Sequence, residues 1–429
     1  MTRPARKTEF LAGLTTFMTM SYIIFANPAI LSVAGVPAAG AQTATCLGAA
    51  LATALMAAMS RYPLALAPGM GLNAFLAYSV CRGMGYDWEI GMAVVVLEGL
   101  ILMVLVGLGL RRWIMDALPL SLKHAIGVGI GLFIAFIGLK MGGIIVAGPP
   151  ETLVRLGSLG APEALVALAG LAVTAGMLAR GVPGGLLIGI VASSLLADVG
   201  FGLAHLPGSV AAAVAAPNFS TVWKFWGGLD EALSLRLLPV LFAFLVTDFF
   251  DTMGTVIAVG HQGGFLDRKG NLPRLGPVLL ADSAAAALGG ALGCSSVTTY
   301  LESASGVAAG GRGPLTGYTV AACFLVAMFL NPLAAAVPAC AVAPALIAVG
   351  FLMMRGVARI GWDRVEEGVP AFLTILMTPL SFSIATGVGW GVLATVVVAG
   401  LSGRAGRVHP VLWACAAVFA VSFSPLVPR

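Results

Sequence analysis

The chain is 429 residues long, 59% hydrophobic and only 10% charged, with a formal net charge of +5. Soluble globular domains carry about 25% charged residues, so a water-covered fold is excluded and an all-α polytopic membrane protein is expected. The basic residues are scattered through short connections, which reads as a topology signal and not as a nucleic-acid surface. Six cysteines (Cys46, Cys81, Cys294, Cys323, Cys340, Cys415) show no paired or metal-type spacing and read as packing residues. The four histidines (His124, His205, His261, His409) are dispersed, so no metal, cofactor or enzyme centre is expected.

A bilayer-crossing helix needs roughly 20 apolar residues. Taken in chain order, spans are predicted at 10–33, 40–60, 64–80, 89–110, 124–146, 163–180 and 183–200. The first of these has no small-residue cleavage pattern and is not read as a removable signal. A connector at 201–235 contains Trp223 and Trp226, both suited to the membrane interface. Further spans are predicted at 236–260, 276–293, 295–310, 315–337, 339–358, 366–384 and 386–402. A hydrophobic tail, 403–429, holds an apolar segment at 409–425 that is either interfacial or an extra span.

Basic residues test the count. With Arg3, Arg6 and Lys7 cytoplasmic, the even-numbered connections should be basic. They hold Arg61; Arg111, Arg112 and Lys123; Arg180; Arg268, Lys269 and Arg274; Arg312; Arg355, Arg359 and Arg364; and Arg404 and Arg407. The outer connections are poorer in basic residues, with Arg82, Arg155 and Lys224 as the exceptions. Fourteen spans divide into two sets of seven, 8–200 and 236–402. Seven is odd, so the second set runs opposite to the first and an inverted repeat is expected. Span three is short and interrupted by Pro68, Gly69 and Gly71; span ten follows Gly293 and ends in Gly306, Gly310 and Gly311.

A charge near the bilayer centre costs at least about 2.5–3.5 kcal/mol on insertion scales, so acids in apolar runs are candidates for function. Asp248 and Asp251 lie mid-span in LFAFLVTDFFDTMGTVIAVG, three apart and so expected on one helical face. Glu302 lies in CSSVTTYLESASGVAAGG. Glu98 and Asp282 also sit in apolar runs, but no motif surrounds them and they read as structural. The broken spans are the second signal, because an interrupted helix leaves free N–H groups and a positive dipole end. APGMGLNAFLAY supplies a break followed by Asn73, whose amide either meets a substrate or links helices. CSSVTTYLES supplies the hydroxyls of Thr298 and Thr299, a break, an aromatic (Tyr300) and an acid. Such a set suits a planar, polar heterocycle: the carboxylate accepts ring N–H donors and aromatics cover the ring faces.

The segments TEFLAGLTTFMTMSYIIFANPAIL, APGMGLNAFLAY, FFDTMGT, SSVTTYLESASGVAAGGR and PAFLTILMTPLSFSIA run over nearly the whole chain. They resemble the AzgA-like branch of nucleobase/cation symporters, which transport hypoxanthine, adenine and guanine. The resemblance implies a core of spans 1–4 and 8–11 that holds the substrate. A gate of spans 5–7 and 12–14 would form the scaffold and a homodimer contact. Spans three and ten would each contain a short strand and a half helix, with substrate between them. By motif matching, Asp251 and Glu302 are the acids of spans eight and ten, Phe75 and Tyr300 flank the base, and backbone near Phe75 and Leu301 contacts it. Two departures stand out: Pro314 in GRGPLT, and Thr386 where the branch commonly has Asp. The expected function is proton-coupled purine import across a bacterial inner membrane, with the N-terminus cytoplasmic. Asp251, Glu302 and Asp248 are the candidate proton carriers, and sodium remains open as the coupling ion. An anion carrier of the same architecture, for sulfate or bicarbonate, is the alternative; it would want basic residues or bare helix ends at the breaks.

Overall fold

The first apolar run does not fold as one rod. Helix α1 (Arg6–Met20) gives way at Ser21 and Tyr22 to α2 (Ile23–Val33), which carries Pro28 internally. The structure is a computed structural model that describes residues 6–109, 118–149, 154–204, 207–209, 211–267 and 272–423. Arg3, Arg111, Arg112, His205, Arg268 and Lys269 lie outside the described residues.

The first half continues with α3 (Ala38–Ser60), strand β1 (Leu66–Pro68) and a half helix, α4 (Met70–Ala74), prolonged as π-helical turns through Gly83. Then come α5 (Trp88–Gly107), α6 (Leu120–Met141), strands β2 (Ile145–Ala147) and β3 (Val154–Leu156), α7 (Pro162–Ala179) and α8 (Gly185–Leu195). The second half holds α9 (Leu238–Gly263), α10 (Leu275–Leu292), strand β4 (Val297–Thr299), the half helix α11 (Ser303–Ala308) and α12 (Pro314–Ala327). It ends with α13 (Ala339–Met353), α14 (Val365–Leu380), α15 (Ile384–Leu401) and α16 (Pro410–Phe423).

Among the described residues, nine helical stretches are long and apolar enough to cross a membrane. The shorter α8, α12 and α14 and the two strand-plus-helix segments occupy the places of the other five expected spans. The chain is thus a polytopic membrane protein. Over its described 14 residues α16 is about 21 Å long at 1.5 Å per residue, short of the roughly 30 Å hydrocarbon core. It packs on α15 and α9, with Phe419 edge-on to Phe242 at 5.7 Å. The small β2–β3 ladder is not legible in the sequence: it sits between α6 and α7, where only a connection is expected.

At the centre β1 pairs antiparallel with β4, in the register Leu66↔Thr299, Ala67↔Thr298 and Pro68↔Val297. Antiparallel pairing of corresponding segments is what a two-fold axis in the membrane plane requires, so the inverted repeat meets itself here. Around the ladder, α3 packs on α10 and α12, α5 on α10, and α1 on α12. On the other side, α6 packs on α13 and α14, α7 on α8 and α13, and α14 on α15. Glycines permit the closest approaches: a Cβ on Gly99 of α5 would lie 2.3 Å from the Ala287 nitrogen of α10.

Candidate functional site

The strand pair leaves a cavity of about 370 Å³ beside it, within the ~300–1,000 Å³ range of small-molecule sites. One wall is polar. From the turn after β1 and the start of α4 come Gly69, Met70, Gly71 and Leu72. The first N–H groups of a helix have no intrahelical acceptor, so α4 presents donors at this wall. From β4 and the start of α11 come Thr298, Thr299, Tyr300, Leu301 and Glu302, and from α9 come Thr247, Asp251 and Thr255. The opposite wall is apolar, built from Ile130 and Ile134 of α6, Leu186 of α8, and Val349, Leu352 and Met353 of α13.

The polar wall is held rigidly. The Tyr300 N–H donates to the Ala65 carbonyl at 2.9 Å, and its hydroxyl to the Pro68 carbonyl at 2.5 Å. Asp282 of α10 accepts from the Thr299 N–H at 3.0 Å and the Thr299 hydroxyl at 2.8 Å. Its other oxygen accepts from Thr252 at 2.7 Å. A hydroxyl has one proton, so Thr252 must in turn accept from Thr298, 2.7 Å away. This chain ties β4 to α9 and α10 through Asp282. Tyr22, at the α1–α2 break, donates to Glu302 Oε1 at 2.9 Å. Asp251 reaches the cavity from α9, solvent-accessible there, and lines it together with Glu302.

Of the residues singled out in the sequence, the structure brings Asp251, Thr298, Thr299, Tyr300, Leu301 and Glu302 to the cavity. Three stand behind its lining. Asn73 is fully buried and donates to Asn27 Oδ1 at 2.6 Å, while Asn27 donates to Thr45 and to the Cys294 carbonyl. It therefore links helices, the second of its two readings. Phe75 is fully buried, its ring 5.0 Å from that of Phe244. Asp248 is also fully buried, 3.5 Å from the Ser296 hydroxyl and turned towards α5. A spacing of three falls short of a full turn by about 60°, enough at the edge of a cavity to place Asp248 and Asp251 in different surroundings.

The Permease family (Xan_ur_permease) matches residues 7–390. The chain belongs to this family. The guanine/hypoxanthine permease PbuG of Bacillus subtilis is 42% identical over 97% of the chain and 96% of its own length. The adenine permease AdeP of Escherichia coli is 41% identical over 97% of the chain and 92% of its own length. Among solved structures, the transmembrane domain of the cyanobacterial bicarbonate transporter BicA superposes with a TM-score of 0.65. At 18% identity, over 89% of this chain and 97% of that one, it shows a shared fold. Membership makes the chain a permease and not an enzyme, and it agrees with the resemblance seen in the motifs.

Sequence reasoning missed Tyr22, Thr247 and Thr255 of this permease's cavity. Thr247, Asp251 and Thr255 recur every four residues, a helical face that the spacing could have disclosed. Tyr22 carries no such signal: it reaches Glu302 across 280 residues of chain.

Proposed function

We propose that the chain imports purine nucleobases (hypoxanthine, guanine and adenine) across a bacterial inner membrane by proton symport. The observation that carries this reading is the pair of carboxylates, Asp251 and Glu302, beside helix-start N–H donors on one wall of an otherwise apolar cavity. A purine offers ring N–H donors to a carboxylate and acceptors to backbone N–H groups, and its flat faces suit Tyr300 and the aliphatic wall. The purine permeases PbuG and AdeP, similar over nearly the full chain, support the substrate class. Two acids in the cavity disfavour an anion as cargo.

In this reading Glu302, Asp251, Thr298, Thr299, Tyr300 and Leu301 contact substrate, and Asn73 and Phe75 brace the half helix from behind. Asp251 or Glu302 takes a proton, removing a charge that would oppose movement through an apolar environment. The core comprises α1–α5 with β1 and α9–α12 with β4. It moves as an elevator against a gate of α6–α8 and α13–α15, which also forms a homodimer contact within the lipid. The repeats are 8–200 and 236–402, joined by 201–235, and the N-terminus is cytoplasmic.

Uptake of labelled hypoxanthine into proteoliposomes tests the proposal. An inward proton gradient should drive accumulation, an uncoupler should abolish it, and replacing sodium by potassium should leave it intact. Guanine and adenine should compete, and sulfate and bicarbonate should not. Uptake that needs sodium and ignores the proton gradient overturns proton coupling. Competition by sulfate but not by purines overturns the substrate.

A further inference from the structure

Behind β4, away from the cavity, two more acids meet. Glu98 of α5 and Asp248 of α9 are both fully buried, and their carboxyl groups lie within hydrogen-bonding reach of each other. Among the described residues, the side chain that donates to them is Ser296. Its hydroxyl is 3.3 Å from Glu98 Oε2 and 3.5 Å from Asp248 Oδ1. A hydroxyl has a single proton, so it serves one of the two at a time. The remaining oxygens, Glu98 Oε1 and Asp248 Oδ2, are buried without a hydrogen-bond partner among the described residues. The ionisable groups acting on the pair are themselves acids, Asp282 of α10 and Asp251 of α9. Lys123 of α6 is engaged over the Phe250 ring at 4.7 Å. Two bare carboxylates in contact, desolvated and facing further acids, are not a stable arrangement. A single proton between them relieves the repulsion and supplies the donor that the unpartnered oxygens lack.

We propose that Glu98 and Asp248 share one proton and so form a protonation site behind the substrate cavity, separate from Asp251 and Glu302. Ser296 connects this site to the cavity. Its hydroxyl bridges the pair, and its carbonyl accepts the Gly69 N–H at 2.9 Å, at the start of α4. A change in the pair's protonation therefore bears on the backbone that lines the cavity. This consequence rests on the transport reading above, whereas the shared proton can be read without substrate.

Infrared difference spectra of the purified protein in lipid nanodiscs, without purine, provide the test. Glu98→Gln and Asp248→Asn should each remove one carboxylic-acid carbonyl band relative to wild type. The double variant should remove no more acid band than either single one, because there is one proton to lose. Ser296→Ala, which deletes only a hydroxyl, should shift that same band and guards against misfolding of the carboxyl variants. Singles that lose carboxylate bands and keep the acid band overturn the proposal, as does a double variant that loses twice the acid signal. So does a Ser296→Ala spectrum with the band unmoved. Disappearance of the band in wild type when sodium replaces potassium overturns it in favour of a metal cation. A wild-type protein that binds no purine would sink the transport reading and leave the band untouched.

Discussion

Glu302 is held by a residue from the far end of the chain, and that bond can be measured. The Tyr22 hydroxyl donates to its carboxyl at 2.9 Å and fixes the direction in which the second oxygen faces the cavity. Glu302→Gln replaces an acceptor by a donor and removes charge. Losing a charge-assisted bond and burying a mismatched donor together cost about 2.5–6 kcal/mol, at least about fiftyfold in hypoxanthine affinity. Tyr22→Phe removes a bond worth about 1.5–3 kcal/mol, or roughly tenfold and more. In the Gln background the same Tyr22→Phe change should cost less, because its carboxylate partner is already gone. Dissociation constants of labelled hypoxanthine for the four purified proteins complete this cycle. A Glu302→Gln affinity within about threefold of wild type removes Glu302 from the site. At this scale the sequence was legible where an acid in an apolar run had a motif around it, as at Asp251 and Glu302, which both line the cavity. It was illegible where the partner is remote. Nothing near Tyr22 in the chain points to Glu302, and Glu98 reads as an isolated acid until α5 and α9 are brought together. Asp248 shows a third limit: its period was right to within about 60°, and that angle decides which surroundings it meets.

The broken spans are the element on which the site depends, and their packing leaves no slack. Gly289 of α10 faces the turn into β4, where a Cβ would lie 2.2 Å from the Ser295 carbonyl oxygen and 2.7 Å from Val297 Cγ2. Both neighbours are fully buried, and Ser295 already holds a left-handed backbone, φ 71°. Gly289→Ala must therefore displace the strand. Overpacking of this kind typically costs about 1–3 kcal/mol. The variant should unfold at a lower temperature in a thermal-shift assay and bind hypoxanthine more weakly than the loss of stability alone explains. Unchanged melting and binding would show that the strand can move aside freely. Pro68, Gly69 and Gly71 make the break in span three visible in the sequence, and Gly293 does the same for span ten. The three-residue ladder between them was not derivable from residue pattern, since so short a strand has no period to detect. It came from the family resemblance. The β2–β3 ladder escaped both routes for the same reason of length.

If the molecule works by sliding one set of helices past the other, a covalent link between the sets must stop it. Met18 of α1 and Gly184, just before α8, offer a place: a Cβ on Gly184 would be 3.5 Å from Met18 Cβ, within the ~3.5–4.5 Å span of a disulfide. Gly184 has φ 77°, so a cysteine there carries roughly 1–2 kcal/mol of backbone strain, and the reduced protein is the proper reference. In a chain whose six native cysteines are replaced, the Met18→Cys/Gly184→Cys pair should transport when reduced and stop when oxidised, with recovery on adding reductant. Uptake that survives complete cross-linking excludes relative motion at this contact. The order of helices along the chain was readable from hydropathy and basic residues, because both are local. Which helices pack together was not, because that depends on contacts between the halves. The same dependence governs how the protein is made. Tyr300 closes onto Pro68, 232 residues earlier, and strand β1 has no ladder until β4 arrives. While the ribosome is still translating the second half, the first half can already be threaded into the bilayer helix by helix. Yet it holds an unpaired strand and only part of the cavity, whose last walls come from β4 and, later still, from α13 with Val349, Leu352 and Met353.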